Sequence, residues 1–139
     1  MEKSLKIESV WFDDGRIFIL TNTGQKMWQS LLWYPRLQQA TDDQRSRFEI
    51  DDEGIRWDDL DEDVSLESFF YNDPEPTGIA LIFRKFPELN ASAISRRIGI
   101  KQSLLAAYIS GRKKPSEAQE VRIKNEIRAF ARELSMAQL

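Results

Sequence analysis

The 139-residue sequence contains no cysteine and no histidine. The first absence excludes disulfides, thiolate metal sites and a thiol nucleophile, and it fits a reducing cytoplasm, the expected location. The second removes the usual general base, the usual zinc ligand and every His-dependent triad, so catalysis would fall to carboxylates, Lys or Tyr. The carboxylates of Asp58 to Asp63 are the best enzyme candidates, but no nucleophile, phosphate loop or imidazole accompanies them. No catalytic residue, cofactor or metal is therefore assigned, and the chain is not read as an enzyme. Long apolar runs are missing too: nothing approaches the ~20 residues of a membrane span, and the opening MEKSLKIESV lacks an apolar signal core. No membrane role is expected.

What is present is charge, unevenly placed. Residues 1–83 carry 8 Lys and Arg against 18 Asp and Glu, a net of −10, whereas residues 84–139 carry 12 against 5, a net of +7. A basic C-terminal half suits a polyanion, and the acidic half should be repelled by one. The length fits one domain or two small ones. The turn-forming stretch NDPEPTG, Asn72 to Gly78, lies close to the charge switch and sets the boundary, giving domains 1–73 and 74–139.

The N-terminal part reads as a small α+β domain. Leu5 to Phe12 and Arg16 to Asn22 flank Asp13-Asp14-Gly15, whose Asp-Gly suits a type I′ hairpin turn. That turn places Trp11 opposite Phe18 and Val10 opposite Ile19. One face then collects Leu5, Ile7, Trp11, Phe18 and Leu20, the other Val10, Phe12, Ile17 and Ile19. Both faces are apolar near the turn, so the hairpin needs cover on each side or a partner protein on one of them. Gln25 to Tyr34 fits either a helical stripe or an irregular apolar cover. Pro35 opens a short helix, and Thr41 with Gln44 forms a capping box for another. Phe48, Ile50, Ile55 and Trp57 alternate about Asp52-Glu53-Gly54 as a second hairpin. Eight acids between Asp51 and Asp63 suit a divalent-metal site or a solvated loop leading to a helix capped at Ser65, with Leu66, Phe69 and Phe70 closing onto the sheet.

The C-terminal part is helical. Thr77 can cap a helix through Phe86 that packs Leu81, Ile82 and Phe86, with a strand as the alternative for GIALIF. Ile94 and Ile98, with the small Ser95 beside them, give a narrow face that can press on a neighbouring helix. Gly99 turns the chain into a second helix, about Lys101 to Ser110, ended by Gly111. Leu105, Tyr108 and Ile109 can face the core, leaving Lys101, Gln102, Ser103, Leu104 and Ala107 outward, where groove-reading side chains sit. Arg96, Arg97, Arg112, Lys113 and Lys114 are the pool for phosphate contacts. Ser116 and Gln119 cap a long amphipathic helix with Val121, Ile123, Ile127, Phe130 and Leu134.

Residues Ile98 to Ser116 resemble the segment shared by lambda-repressor-like and Cro-like DNA-binding domains: an apolar residue and Gly, an apolar residue, Gln-Ser opening the recognition helix, then Ser-Gly, basic residues and Pro-Ser. The resemblance implies an all-α helix-turn-helix bundle that reads double-stranded DNA as a transcriptional regulator. A homodimer is expected because palindromic half-sites are read by two-fold symmetric proteins and one bundle offers few base contacts, with the apolar hairpin faces and the long C-terminal helix as candidate surfaces. Lys101 stands where that family usually has an N-capping Ser, and Ala91 where a phosphate-contacting Gln is common, which implies modest affinity. The stretches PRLQQATDDQRSRFEI and GIRWDDLDEDVSLESFF resemble a family of small bacterial proteins catalogued as a domain of unknown function, numbered 2442. The motifs are Pro35 to Leu37, Ala40-Thr41, Gln44-Arg45, Phe48, Ile55 to Trp57, Leu60 to Asp63 and Ser65, with Asp58 where Pro commonly follows Trp. Members often sit beside toxin-like genes. The resemblance therefore implies a second reading, an antitoxin-like interaction module whose acidic N-terminal domain binds a basic, toxin-like partner.

Overall fold

The structure is a computed structural model that describes residues 4–138. It is α+β, with antiparallel sheets in the N-terminal part and helices in the C-terminal part. The chain divides into two compact units, after Pro76. Asp73 and Pro74 belong to the first because their carbonyls accept from Trp33 Nε1 and the Ser30 N–H, at 2.9 and 2.7 Å.

In the N-terminal unit, Ile7–Asp13 (β1), Arg16–Thr21 (β2) and Lys26–Ser30 (β3) form one antiparallel sheet in that order. Asp14 and Gly15 both take positive φ, +48° and +71°, as a type I′ turn requires. Trp11 then pairs with Phe18 and Val10 with Ile19. A register shift between Ile7 and Ser9 alters the face assignment upstream. The extra residue of this bulge turns Ile7 to the side of Ile17 and Ile19, where it is buried, and not to the side of Trp11 as strict alternation requires. Gln25 to Tyr34 is neither helix nor irregular cover. It supplies β3, satisfying the free edge of β2, and then one 3₁₀ turn, Leu31–Trp33.

Pro35–Gln38 (α1) and Asp42–Ser46 (α2) follow, the latter with both halves of the Thr41–Gln44 capping box in place. A second sheet joins Glu49–Ile50 (β4), Gly54–Trp57 (β5) and Glu62–Ser65 (β6). β6 lies where a loop was one of the two readings of the acidic run. Its register sets Arg56 opposite Asp63, so charge that would oppose pairing is cancelled. Ser65 ends this strand, and its hydroxyl accepts from the Ser68 N–H as Ser68–Tyr71 (α3) begins. Phe69 is buried, but Phe70 is 55% exposed and does not close onto the sheet, since a four-residue helix can bury only one side.

Both sheets share one core of Ile7, Ile17, Ile19, Leu31, Leu37, Ile55, Trp57, Val64, Leu66 and Phe69. Trp57 is wholly buried, with its Nε1–H given to the Arg45 carbonyl and Phe12 and Phe48 against its ring. A polar cluster sits beside this core: Gln29, fully buried, donates to Ser68 Oγ and accepts from Tyr34 and Asn72.

The C-terminal unit has four helices, Gly78–Lys85 (α4), Ala91–Ile98 (α5), Gln102–Ser110 (α6) and Glu117–Met136 (α7). Ile79, Phe83, Ile94, Ile98, Leu105, Tyr108 and Ile123 form its core. GIALIF is helical, though Thr77 makes no side-chain cap, and α4 buries Ile79 and Phe83 where Leu81 and Phe86 were expected; Phe86 is half exposed. On α7 only Ile123 is fully buried. Ile127 and Phe130 pack at the margin, whereas Val121 and Leu134 stand out in solvent.

Candidate nucleic-acid interface

Helix α5 begins at Asn90, whose side-chain oxygen accepts from the Ala93 N–H at 3.0 Å. It ends at Gly99, whose φ of +82° suits the residue without a Cβ. The Ser95 carbonyl accepts from both Gly99 and Ile100 N–H, which closes the helix and turns the chain within three residues, 99–101. Ser95 itself is buried, as a close approach on that face requires. Lys101 is the N-cap of α6 and offers no capping oxygen. Gly111, with φ +83°, closes α6. Leu105 and Tyr108 anchor this helix from beneath.

The outward side of α6 holds Lys101, Gln102 and Ser103, all exposed, with Ala107 half-buried. Leu104, expected to face outward with them, is partly buried against the core. Ala106 is exposed in its place. Its spacing, four after Gln102 and three after Ser103, was the signal that could have found it.

Arg96 and Gln102 are brought together by Ser92, which the sequence reading passed over. Arg96 Nη1 donates to Ser92 Oγ at 2.9 Å, and that hydroxyl donates to Gln102 Oε1 at 3.2 Å. The chain of bonds turns the Gln102 amide while leaving its NH2 group to donate. Arg97 is drawn elsewhere. Its Nε donates to Glu126 at 3.1 Å, its Nη1 to Glu133 at 2.8 Å, and its guanidinium lies over the Phe130 ring. These bonds raise the Arg97 pKa, Glu133 contributing more than Glu126, and the same contact holds the Glu133 carboxyl below its usual range. Arg97 thus clamps α5 to α7. Arg122 reinforces the junction by donating to the Ile98 carbonyl at the end of α5.

Arg112, Lys113 and Lys114 are exposed just beyond α6. Cations therefore flank both ends of an uncharged polar and small-residue surface, which can meet base edges while the flanks meet phosphates. Among the described residues, no group of carboxylates is placed to hold a metal ion. In the acidic run, Arg56 instead takes Asp58, Asp61 and Asp63 at 3.0, 2.9 and 2.7 Å.

No curated protein and no solved structure matches the chain. Residues 7–75 match the family described as Protein of unknown function (DUF2442), a span that takes in almost all of the N-terminal unit and none of α4 to α7.

Proposed function

We propose that the C-terminal unit binds double-stranded DNA as a helix-turn-helix module of lambda-repressor type, with α6 in the major groove, and that the protein is a transcriptional regulator. The observation that carries this is the Arg96–Ser92–Gln102 relay at the exposed start of α6. It presents an oriented amide where a bidentate contact to adenine would form, next to Ser103 and Ala106. Lys101, Arg96, Arg112, Lys113 and Lys114 supply backbone contacts in this reading. Arg97 drops out because its guanidinium serves the α5–α7 clamp. A homodimer completes the reading, since two-fold symmetry supplies a second set of base contacts. The exposed Val121 and Leu134 of α7 are the surface offered for it.

The test compares Gln102→Ala with Lys113→Ala on the preferred duplex and on random duplex. Losing Gln102 should cost roughly 1–3 kcal/mol on the preferred site and little on random DNA. Losing Lys113 should weaken both alike and reduce the salt dependence. Equal losses on all sequences in both variants would defeat the assignment.

The antitoxin-like reading has its own support in the N-terminal unit. Leu5, Leu66 and the exposed Phe70 line a cleft of about 510 Å³ rimmed by Asp52, Glu53 and Glu67. Such a cleft suits a basic segment with an apolar anchor.

A further inference from the structure

The outer face of the β1–β2–β3 sheet carries a row of rings that no core residue covers. Trp11 stacks on Phe18 with centroids 5.5 Å apart and planes 7° from parallel, and Trp28 lies 6.5 Å from Phe18. All three are partly exposed and stand outside the core cluster and the residues packed on it. Two cations lie among them. Arg16 sits over Trp28 at 4.3 Å, and the Lys26 ammonium lies 5.8 Å from the Trp11 ring and 5.4 Å from Phe18.

The pairing of these cations sets them apart. Elsewhere in the described N-terminal unit, Lys6, Arg36, Arg45, Arg47 and Arg56 each pair with a carboxylate. Arg16 and Lys26 pair with none among the described residues, in the acidic half of the chain where carboxylates are plentiful. Two unpaired cations are thus fixed on one apolar face by the rings beneath them.

The ring geometry narrows the occupant. Phe18 takes one face of Trp11 and Arg16 one face of Trp28, so the rings are engaged with each other and with the cations. What the face offers a partner is partly exposed apolar ring surface beside two cations that have no carboxylate partner among the described residues. From this we infer that the outer face of the first sheet is a docking surface for an acidic protein segment bearing apolar side chains, whose carboxylates pair with Arg16 and Lys26. This surface is independent of the DNA-binding reading and takes a partner opposite in charge from the one the acidic cleft suits.

The test uses the ¹⁵N-labelled full chain and its four tryptophan indole N–H signals. Trp33 and Trp57 give theirs to backbone carbonyls and serve as internal controls of the fold. A synthetic peptide alternating Glu with Leu and Phe should shift the Trp11 and Trp28 signals and leave the other two in place. Arg16→Glu with Lys26→Glu should weaken that binding by about tenfold or more, and raising salt should weaken it in the unaltered protein. Should the double reversal disturb the control signals, Arg16→Gln with Lys26→Gln replaces it, with a smaller loss expected. The inference is overturned if the Glu peptide shifts neither signal, if a Lys-for-Glu counterpart shifts both equally, or if oligothymidylate is the only probe that shifts them.

Discussion

Gln29→Ala tests whether the polar cluster beside the N-terminal core holds that unit together. The wild-type amide, fully buried, makes three bonds: to Ser68 Oγ at 2.9 Å, from Tyr34 Oη at 3.0 Å and from Asn72 Nδ2 at 2.8 Å. Tyr34 and Ser68 can still bond each other at 3.2 Å, so their loss is partly recovered. Asn72 has no such fallback: its Oδ1 is already buried without a partner, and the substitution strands its NH2 group as well. Stranding one buried donor costs roughly 1–3 kcal/mol, and each lost bond about 0.5–1.5. With the space left by the side chain, a total of about 3–5 kcal/mol is expected. All four tryptophans, Trp11, Trp28, Trp33 and Trp57, lie in this unit, so fluorescence in urea follows it alone. At a slope of about 1–3 kcal/mol/M the midpoint should fall by at least ~1 M. Adding Asn72→Ala to the variant should cost much less than Asn72→Ala alone, because the two amides act together. A Gln29→Ala cost below about 1 kcal/mol, or strict additivity of the pair, would show that the cluster does not hold the unit together.

Gly54→Ala should destabilise the same unit by roughly 1–3 kcal/mol or more, read by the same fluorescence, because an added Cβ would sit 2.2 Å from the Val64 carbonyl oxygen and the two strands would have to part. The Arg97–Glu133 contact sets a pH dependence in the C-terminal unit. Glu133 has a lowered pKa in the folded state, so its stabilisation is present above the usual carboxylate pKa and is lost as pH falls through the lowered value. Glu133→Gln should flatten this acid limb in far-ultraviolet circular dichroism melts, and an unchanged limb would mean that the Arg97–Glu133 contact does not stabilise the unit. Leu105→Ala, at a site with no exposure beneath α6, should cost about 2–5 kcal/mol in urea unfolding followed by circular dichroism, and should reduce the DNA binding proposed for α6 with it.

Local chemistry made much of the fold legible. Asp14-Gly15 set the first hairpin and its pairings, Thr41 with Gln44 set α2, and Gly99 and Gly111 marked the ends of α5 and α6 by the positive φ they permit. Elements whose identity depends on distant partners were not legible. Lys26 to Ser30 became a strand because β2 had an open edge, although Met27, Leu31 and Tyr34 also fit a helical stripe. The bulge that turns Ile7 inward leaves no mark in the alternation of residue types. β6 hid in an acidic run whose charge makes sense only once Arg56 lies opposite Asp63.

At the candidate interface the sequence pattern turned Gln102, Ser103 and the basic run outward, and all of them are exposed. It could not tell that Arg96 would bond through Ser92 to Gln102 while its neighbour Arg97 turned to Glu126 and Glu133. Adjacent helical residues point about 100° apart, so which arginine meets which helix depends on how α7 packs.

Sequence-specific reading of duplex DNA by α6, as proposed, can be measured by selecting duplexes from a random pool with the full-length protein and determining its affinity for the enriched and unenriched sequences at matched salt. An enriched site should be bound at least about 10³-fold more tightly than random duplex, with affinity for both falling as salt rises. Recovery of no common sequence, or equal affinity for the enriched and random duplexes across the salt range, would contradict it.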